Sequence, residues 1–208
     1  MKKQLLLLVI ITILVTSCKV SRQYVQHISK KADIVAPKTK NVIVIATEEV
    51  TVNEFKKTFE KNFAEKRDFS LNYLNEFSEK LSASYLYADV SIDTKNSTYA
   101  SVNKENADYV IHFSNFEITN RVEWRNTGGM GMNGVGGMQT TSVEYCIINV
   151  KVEIYDAKKN REVLDFVSIG EKAVFLFNFT KTLQEAKERS IDHIINYLKS
   201  GKTEYKKY

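Results

Sequence analysis

Two stretches of β-type sequence face each other across a glycine-rich segment, and this arrangement limits the fold more than any other feature. "ADYVIHFSNFEITNRVEW" spans 107–124 and "SVEYCIINVKVEIYD" spans 142–156. Between them, residues 126–141 (NTGGMGMNGVGGMQTT) hold six of the chain's eight glycines and three of its four methionines. β-Branched and aromatic runs on both sides of a turn segment read as a hairpin. A connection this long is not a tight two-residue turn. Each arm changes face along its length. In the first, Tyr109, Ile111 and Phe113 share one parity and Phe116, Ile118, Val122 and Trp124 the other, so a bulge near Ser114-Asn115 is expected. In the second, Val143, Tyr145 and Ile147 have one parity and Ile148, Val150, Val152 and Ile154 the other, which predicts a second change of face.

The remaining elements supply partners for the hairpin. "NVIVIA" at 41–46 suits a buried strand. Thr51-Val52-Asn53-Glu54 fits a capping box. Val52, Phe55, Phe59 and Phe63 follow at helical spacing, predicting a helix to about Lys66. Leu71, Leu74, Phe77 and Leu81 predict a second helix. "YLYADVSID" alternates, with Leu86, Ala88, Val90 and Ile92 on one face of a half-buried strand, and "VLDFVSIGEKAVFLF" at 163–177 reads as another. A final helix carries Leu183, Ala186, Ser190, Ile191, Ile194, Ile195 and Leu198 on one face, and Gly201 suits its C-cap. The fold class that results is α+β: a mostly antiparallel β-sheet with a long central hairpin, packed against two to three helices.

Within the glycine segment, Gly129-Met130-Gly131-Met132-Asn133-Gly134 is a literal G-x-G-x-x-G. A dinucleotide loop needs a buried strand before it and a helix opening on its last glycine, whose free amides hold the pyrophosphate. Here the preceding stretch is amphipathic and the following one is β-type, so neither amides nor dipole are supplied. No Gly-Lys-Ser/Thr follows, which excludes a Walker loop as well. Metal chemistry is equally poorly served. His27, His112 and His193 lie far apart, none with a second His or a Cys at ligand spacing. His112 reads as a sheet residue with a local hydrogen bond, and His193 as a solvated residue off the apolar face of its helix. Cys146, within Tyr145-Cys146-Ile147-Ile148, reads as a small buried apolar residue. No nucleophile motif is present, and the expectation is a protein that is not an enzyme, with no cofactor and no metal.

The N-terminus points to a location. Lys2 and Lys3 precede an apolar run from Leu5 to Val15, broken only by Thr12. That is the length of a signal-peptide core and short of the ~20 residues of a membrane-spanning helix. Val15-Thr16-Ser17-Cys18 closes the run and resembles the bacterial lipobox. The resemblance implies cleavage before Cys18, acylation of that cysteine, and anchoring in membrane lipid; several acyl chains exceed what stable anchoring requires. Residues 1–17 then form the signal peptide, 18–40 the lipidated cysteine with a basic tether, and 41–208 a single α/β domain with a basic tail. Only Cys146 would remain free, so no internal disulfide can form. The tether, if disordered, would span ~25 Å, although Tyr24, Val25, Ile28, Ile34 and Val35 also allow it to pack on the body. Charge is unevenly spread. Losing Lys2 and Lys3 leaves 28 basic against 25 acidic residues, of which 19–40 carry a net +5 and 199–208 a net +3, so the body is acidic. Basic ends of this kind either attract anionic headgroups or simply keep flexible segments solvated, and they do not imply nucleic acid.

Ala107-Asp108-Tyr109-Val110-Ile111, and the step from Ile154-Tyr155-Asp156-Ala157 to Glu162-Val163-Leu164, are similar to segments of bacterial outer-membrane accessory lipoproteins. These include the auxiliary lipoproteins of lipid-transport ABC systems, the lipoprotein activators of penicillin-binding proteins and the curli secretion lipoprotein. The resemblance implies a non-enzymatic accessory role at the cell envelope, an envelope protein or lipid-transport partner, and the outer membrane as location; Lys19 stands where an inner-membrane retention Asp would be. The alternative it allows is a ring-forming pore or secretion subunit. A hairpin that spans the bilayer is not expected. Glu117, Arg121, Glu123, Arg125 and Glu144 interrupt the arms, and a barrel strand needs ~9–11 residues with one continuous apolar face. The hairpin tip is expected either to make partner contact through Trp124, Met130, Met132 and Met138 or to be a simple connector.

Overall fold

The computed structural model describes residues 22–31, 38–128 and 138–205. Its centre is the hairpin. Strand β6 (Tyr109–Gly128) and strand β7 (Met138–Asp156) pair antiparallel from Tyr109↔Asp156 to Gly128↔Met138. Strand β8 (Arg161–Ala173) continues the sheet from β7, and β2 (Val25–Lys31) pairs with β8, both antiparallel. On the other side, β3 (Asn41–Ala46) lies parallel to β6 and to β5 (Asp89–Ile92). Strand β4 (Val50–Val52) pairs parallel with Phe116–Ile118, taking up the same edge of β6 where β3 leaves it. The sheet thus has seven strands in the order β2-β8-β7-β6-β3-β5, with β4 beside β6. A separate two-residue ladder joins β1 (Arg22–Gln23) to β9 (Glu204–Tyr205).

Helices α1 (Lys56–Asn62), α2 (Lys66–Ala83) and α3 (Phe179–Ser200) cover one face. Phe69, Tyr73 and Phe77 of α2 meet Phe113 and Phe116 of β6 edge-on, with centroids 4.8–5.5 Å apart. All five are fully buried, and burial of such a side chain stabilises by roughly 1.5–3 kcal/mol. Helix α3 presses closely on β8. A Cβ on Gly170 would lie 1.9 Å from the Ala186 carbonyl and 2.7 Å from the Ser190 nitrogen. Only glycine allows that approach. Ser168 Oγ donates to the Ser190 carbonyl at 2.9 Å beside it. Lys187, buried between α2 and α3, donates from Nζ to Glu76 Oε1 at 2.6 Å and also to Asn72. Asn178 caps α3 by accepting from the Lys181 amide, and Gly201 ends it at φ 66°.

The expected fold class holds, and several element readings are corrected. The bulge is where parity placed it, between Phe113 and Asn115. No second one occurs in β7 at 147–148, since Thr119↔Ile147 and Ile118↔Ile148 are consecutive pairs. The parity change there reflects burial on both faces: Cys146, Ile148, Val150, Val152 and Ile154 join the main core, whereas Tyr145 is covered on the other side by arginines. The Thr51–Glu54 capping box does not form. Val50-Thr51-Val52 are β-branched and complete the open edge of β6, and Asn53 Nδ2 donates to Glu117 Oε1 at 2.9 Å. The capping box belongs instead to α2, between Glu65 and Asp68. The strand expected over 85–93 is confined to Asp89–Ile92, because Leu86 and Tyr87 are both buried and so do not alternate. Residues 22–31, part of the stretch read as tether, lie in the two sheets; of the options the sequence left open, packing on the body is the one found.

Candidate functional site

Beyond Ala173, which pairs with Tyr145, β8 leaves the sheet, and the last ladder contact on the opposite edge of β6 is to Ile118. The hairpin continues past both neighbours as a two-stranded ribbon to Gly128↔Met138. A bare ribbon is marginal by itself, and its base is held by charge. Arg22 donates to Glu171 Oε1 at 2.5 Å and to Glu123 Oε2 at 3.1 Å; Arg121 donates to the same two carboxylates at 2.9 and 3.2 Å. The Arg121 guanidinium stacks 4.3 Å above the Tyr145 ring. Arg121, Glu123, Tyr145 and Glu171 share the sheet face away from the helices.

The even-numbered residues of the same arm continue the row of Phe116 and Ile118, but past the reach of the helices. Val122 is 44% and Trp124 71% exposed. Across β7, the Val174 amide bonds to the Glu144 carbonyl, at the level of Val122↔Glu144. The chain then turns out of the sheet toward α3 through Phe175, Leu176 and Phe177, which are 71%, 78% and 85% exposed. Leu176 and Phe177 have φ of 49° and 56°, a left-handed conformation costing roughly 1–2 kcal/mol per residue for side chains of this kind. Phe179, the first residue of α3, lies 5.8 Å from Phe55 and 6.4 Å from Phe177, ring to ring. The exposed residues at the ends of β6 and β8 thus lie at a single end of the sheet, two strand spacings of about 4.8 Å apart, with Glu144 and Ser142 of β7 between them.

The N-terminal segment reaches this same end. Tyr24 accepts from the Ile169 amide at 2.8 Å and stacks on His193 at 4.5 Å. Since β2 runs antiparallel to β8, tracing the chain backward from Val25↔Ser168 leads toward Glu171, where Arg22 is bound. His193 corrects the expectation of a solvated residue. It is half-buried, its Nδ1 donates to the Ile169 carbonyl at 2.7 Å, and burial pushes its pKa below the ordinary value.

Of the residues singled out in the sequence, Trp124 is exposed on the ribbon and Met138 opens β7 opposite Gly128. Cys18, Met130 and Met132 lie outside the described residues. Phe175, Leu176 and Phe177 were missed, having been read as the end of a strand; the available signal was an apolar triplet directly before a helix-capping Asn. His112 bonds locally as expected, to Glu153 Oε2 at 3.2 Å and the Ser97 carbonyl at 3.0 Å. Cys146 is buried, and burial raises its thiol to about 12, which leaves it protonated and a poor nucleophile at neutral pH. Among the described residues no group of three or more His, Cys, Asp or Glu is placed to hold a metal ion. A cleft lined by Ala46, Arg67, Ser70, Leu74 and Asp93 has room for about one water molecule.

No family model and no curated protein matches the chain. Solved bacterial structures with a similar course of chain include a neuraminyllactose-binding hemagglutinin homolog from Helicobacter pylori, 15% identical, with a TM-score of 0.43 over 79% of this chain and 86% of that one. Another is the PelC dodecamer from Paraburkholderia phytofirmans, 14% identical, with a TM-score of 0.44 over 84% of this chain and 97% of that one.

Proposed function

We propose that the chain is a non-enzymatic accessory lipoprotein of the bacterial cell envelope, anchored through acylated Cys18 in the outer membrane, whose ribbon end contacts an envelope protein or lipid-transport partner. The observation that carries this reading is the apolar end itself: Val122, Trp124, Phe175, Leu176 and Phe177 stay exposed where the fold could have buried or replaced them. Large apolar side chains gathered at one end of a sheet mark a contact site more often than scattered ones do. The lipobox at Val15–Cys18 supports the location, and the methionines of the tip, Met130, Met132 and Met138, suit a contact that adapts to its partner.

Mass spectrometry of protein purified from membranes should find Cys18 acylated and residues 1–17 removed; an unmodified Cys18 would sink the anchor. Replacing 127–140 with an Asn-Gly turn should leave the melting temperature nearly unchanged and abolish partner capture. A shortened protein that captures everything the parent does reduces the tip to a connector. A closed ring of many copies in mild detergent would favour the secretion-subunit reading instead.

A further inference from the structure

We infer that the surface met by the apolar end is the bilayer itself: Val122, Trp124, Phe175, Leu176 and Phe177 form a foot in the headgroup layer of the membrane that receives Cys18. This rests on the lipoprotein reading above and departs from it at one point: the exposed end meets lipid, and a protein partner is left to the tip at 126–141.

The argument is one of distance. A tether running to residue 40 would let the domain stand well clear of the membrane. The structure shortens that leash, because Arg22 is already fixed by Glu171 and Glu123 and by its ladder to Tyr205. Cys18 precedes Arg22 by four residues, and four residues cannot span more than about 14 Å. The acyl attachment therefore stays within that distance of Arg22, at the level along the strands where the exposed residues begin. A folded domain is about 30 Å across, so a second protein does not fit between Arg22 and the lipid.

The chemistry of the foot agrees. Trp has an apolar body and one N–H donor, which suits the boundary between headgroups and acyl chains. Leu and Phe beside it gain by leaving water. The ribbon does not cross the bilayer. Past Trp124 come Arg125 and Asn126, paired with Thr141 and Thr140, so the apolar sequence of this face stops short of a span.

Trp124 is the chain's single tryptophan and reports on its own surroundings. The lipidated full chain is reconstituted in vesicles of phosphatidylethanolamine and phosphatidylglycerol, with and without lipids spin-labelled near the headgroup. The expected result is emission shifted to shorter wavelength, strong quenching by the spin-labelled lipid, and protection from aqueous iodide. Changing Phe175, Leu176 and Phe177 together to Ser should remove most of that quenching while the protein still floats with vesicles through its acyl chains. Trp124 that stays in water on floating vesicles overturns the foot and leaves the anchor standing. Protection seen in native membranes but absent from protein-free vesicles overturns it in favour of a protein contact. A chain that neither floats nor carries an acylated Cys18 removes the lipoprotein reading, and the foot with it.

Discussion

The two ends of the β6–β7 hairpin are built from the same two strands and share almost nothing else. At the end near Tyr109, every edge is occupied. Asp108 accepts from Lys158 at 2.5 Å, from the Asn41 amide at 3.0 Å and from Lys40 at 3.2 Å. Tyr99 stacks on Tyr155 at 3.9 Å, and Lys104 sits 3.7 Å over the Tyr99 ring. Ile45, Val102 and Val110 make a small second core there, on the face without helices. At the ribbon end, aromatic and aliphatic side chains face outward and the strands have lost their neighbours. The first end satisfies itself, whereas the second leaves Val122, Trp124, Phe175, Leu176 and Phe177 in solvent. Strength of β-pairing does not separate them, since the ladder is unbroken from Asn115↔Lys151 to Gly128↔Met138; what differs is which side chains the rest of the chain covers.

Aromatic truncation on the two halves of β6 tests this contrast most strongly. Phe113→Ala opens a void under α2 and should cost about 3–5 kcal/mol, whereas Trp124→Ala should stay within about 0.5 kcal/mol. Comparable losses in denaturant midpoint for both would mean that the ribbon is part of the core. Gly170→Ala marks where the covered part of β8 lies. Its methyl group would meet the backbone of α3, and a cost of about 2–3 kcal/mol is expected by thermal melting; a neutral result would show that the helix rides higher than described.

Acid should weaken the self-satisfied end through two carboxylates. Hydrogen bonds from Lys158, the Asn41 amide and Lys40 lower the Asp108 carboxyl to about 2. Burial alone would raise Glu153, but Lys151 and Tyr155 bring it down to about 2. Both groups are more acidic folded than unfolded. Their contribution is therefore fully present above pH values near 4.5 and is lost as the pH falls toward about 2. Asp108→Asn should remove about 1–2 kcal/mol at neutral pH and flatten the acid limb of the stability curve. Phe175→Ser should leave that limb unchanged, and a shift of equal size in both variants would erase the distinction between the ends.

Much of the covered part was legible in the sequence because it follows a period. The alternation of β6, the bulge at Ser114-Asn115 and the 3.6-residue face of α3 all survive in the structure. Three segments were not legible from their local sequence. Thr51-Val52-Asn53-Glu54 has the residues of a capping box, but the open edge of β6 claims it as a strand. Val25–Lys31 has no strong pattern of its own, and its place is decided by β8 and by His193, which lie more than a hundred residues away. Phe175-Leu176-Phe177 reads as buried strand because apolar residues usually are buried. It departs from that rule at the place proposed for contact, as functional sites tend to do. Trp124 was picked out from its position beside the glycines, although nothing in its own arm told that it would be exposed while Phe116, of the same parity, would not.

The ladder of Arg22–Gln23 with Glu204–Tyr205 ties the head of the domain to its tail. As a polymer the folded domain is nearly a closed circuit, entered and left at one point. A segment fused after Tyr205 would start beside Arg22, at the end proposed to face lipid. An insertion between β7 and β8 would enter at the far end of the hairpin, and it must retain Lys158, which donates to Asp108, and Asn160, which accepts from Tyr99.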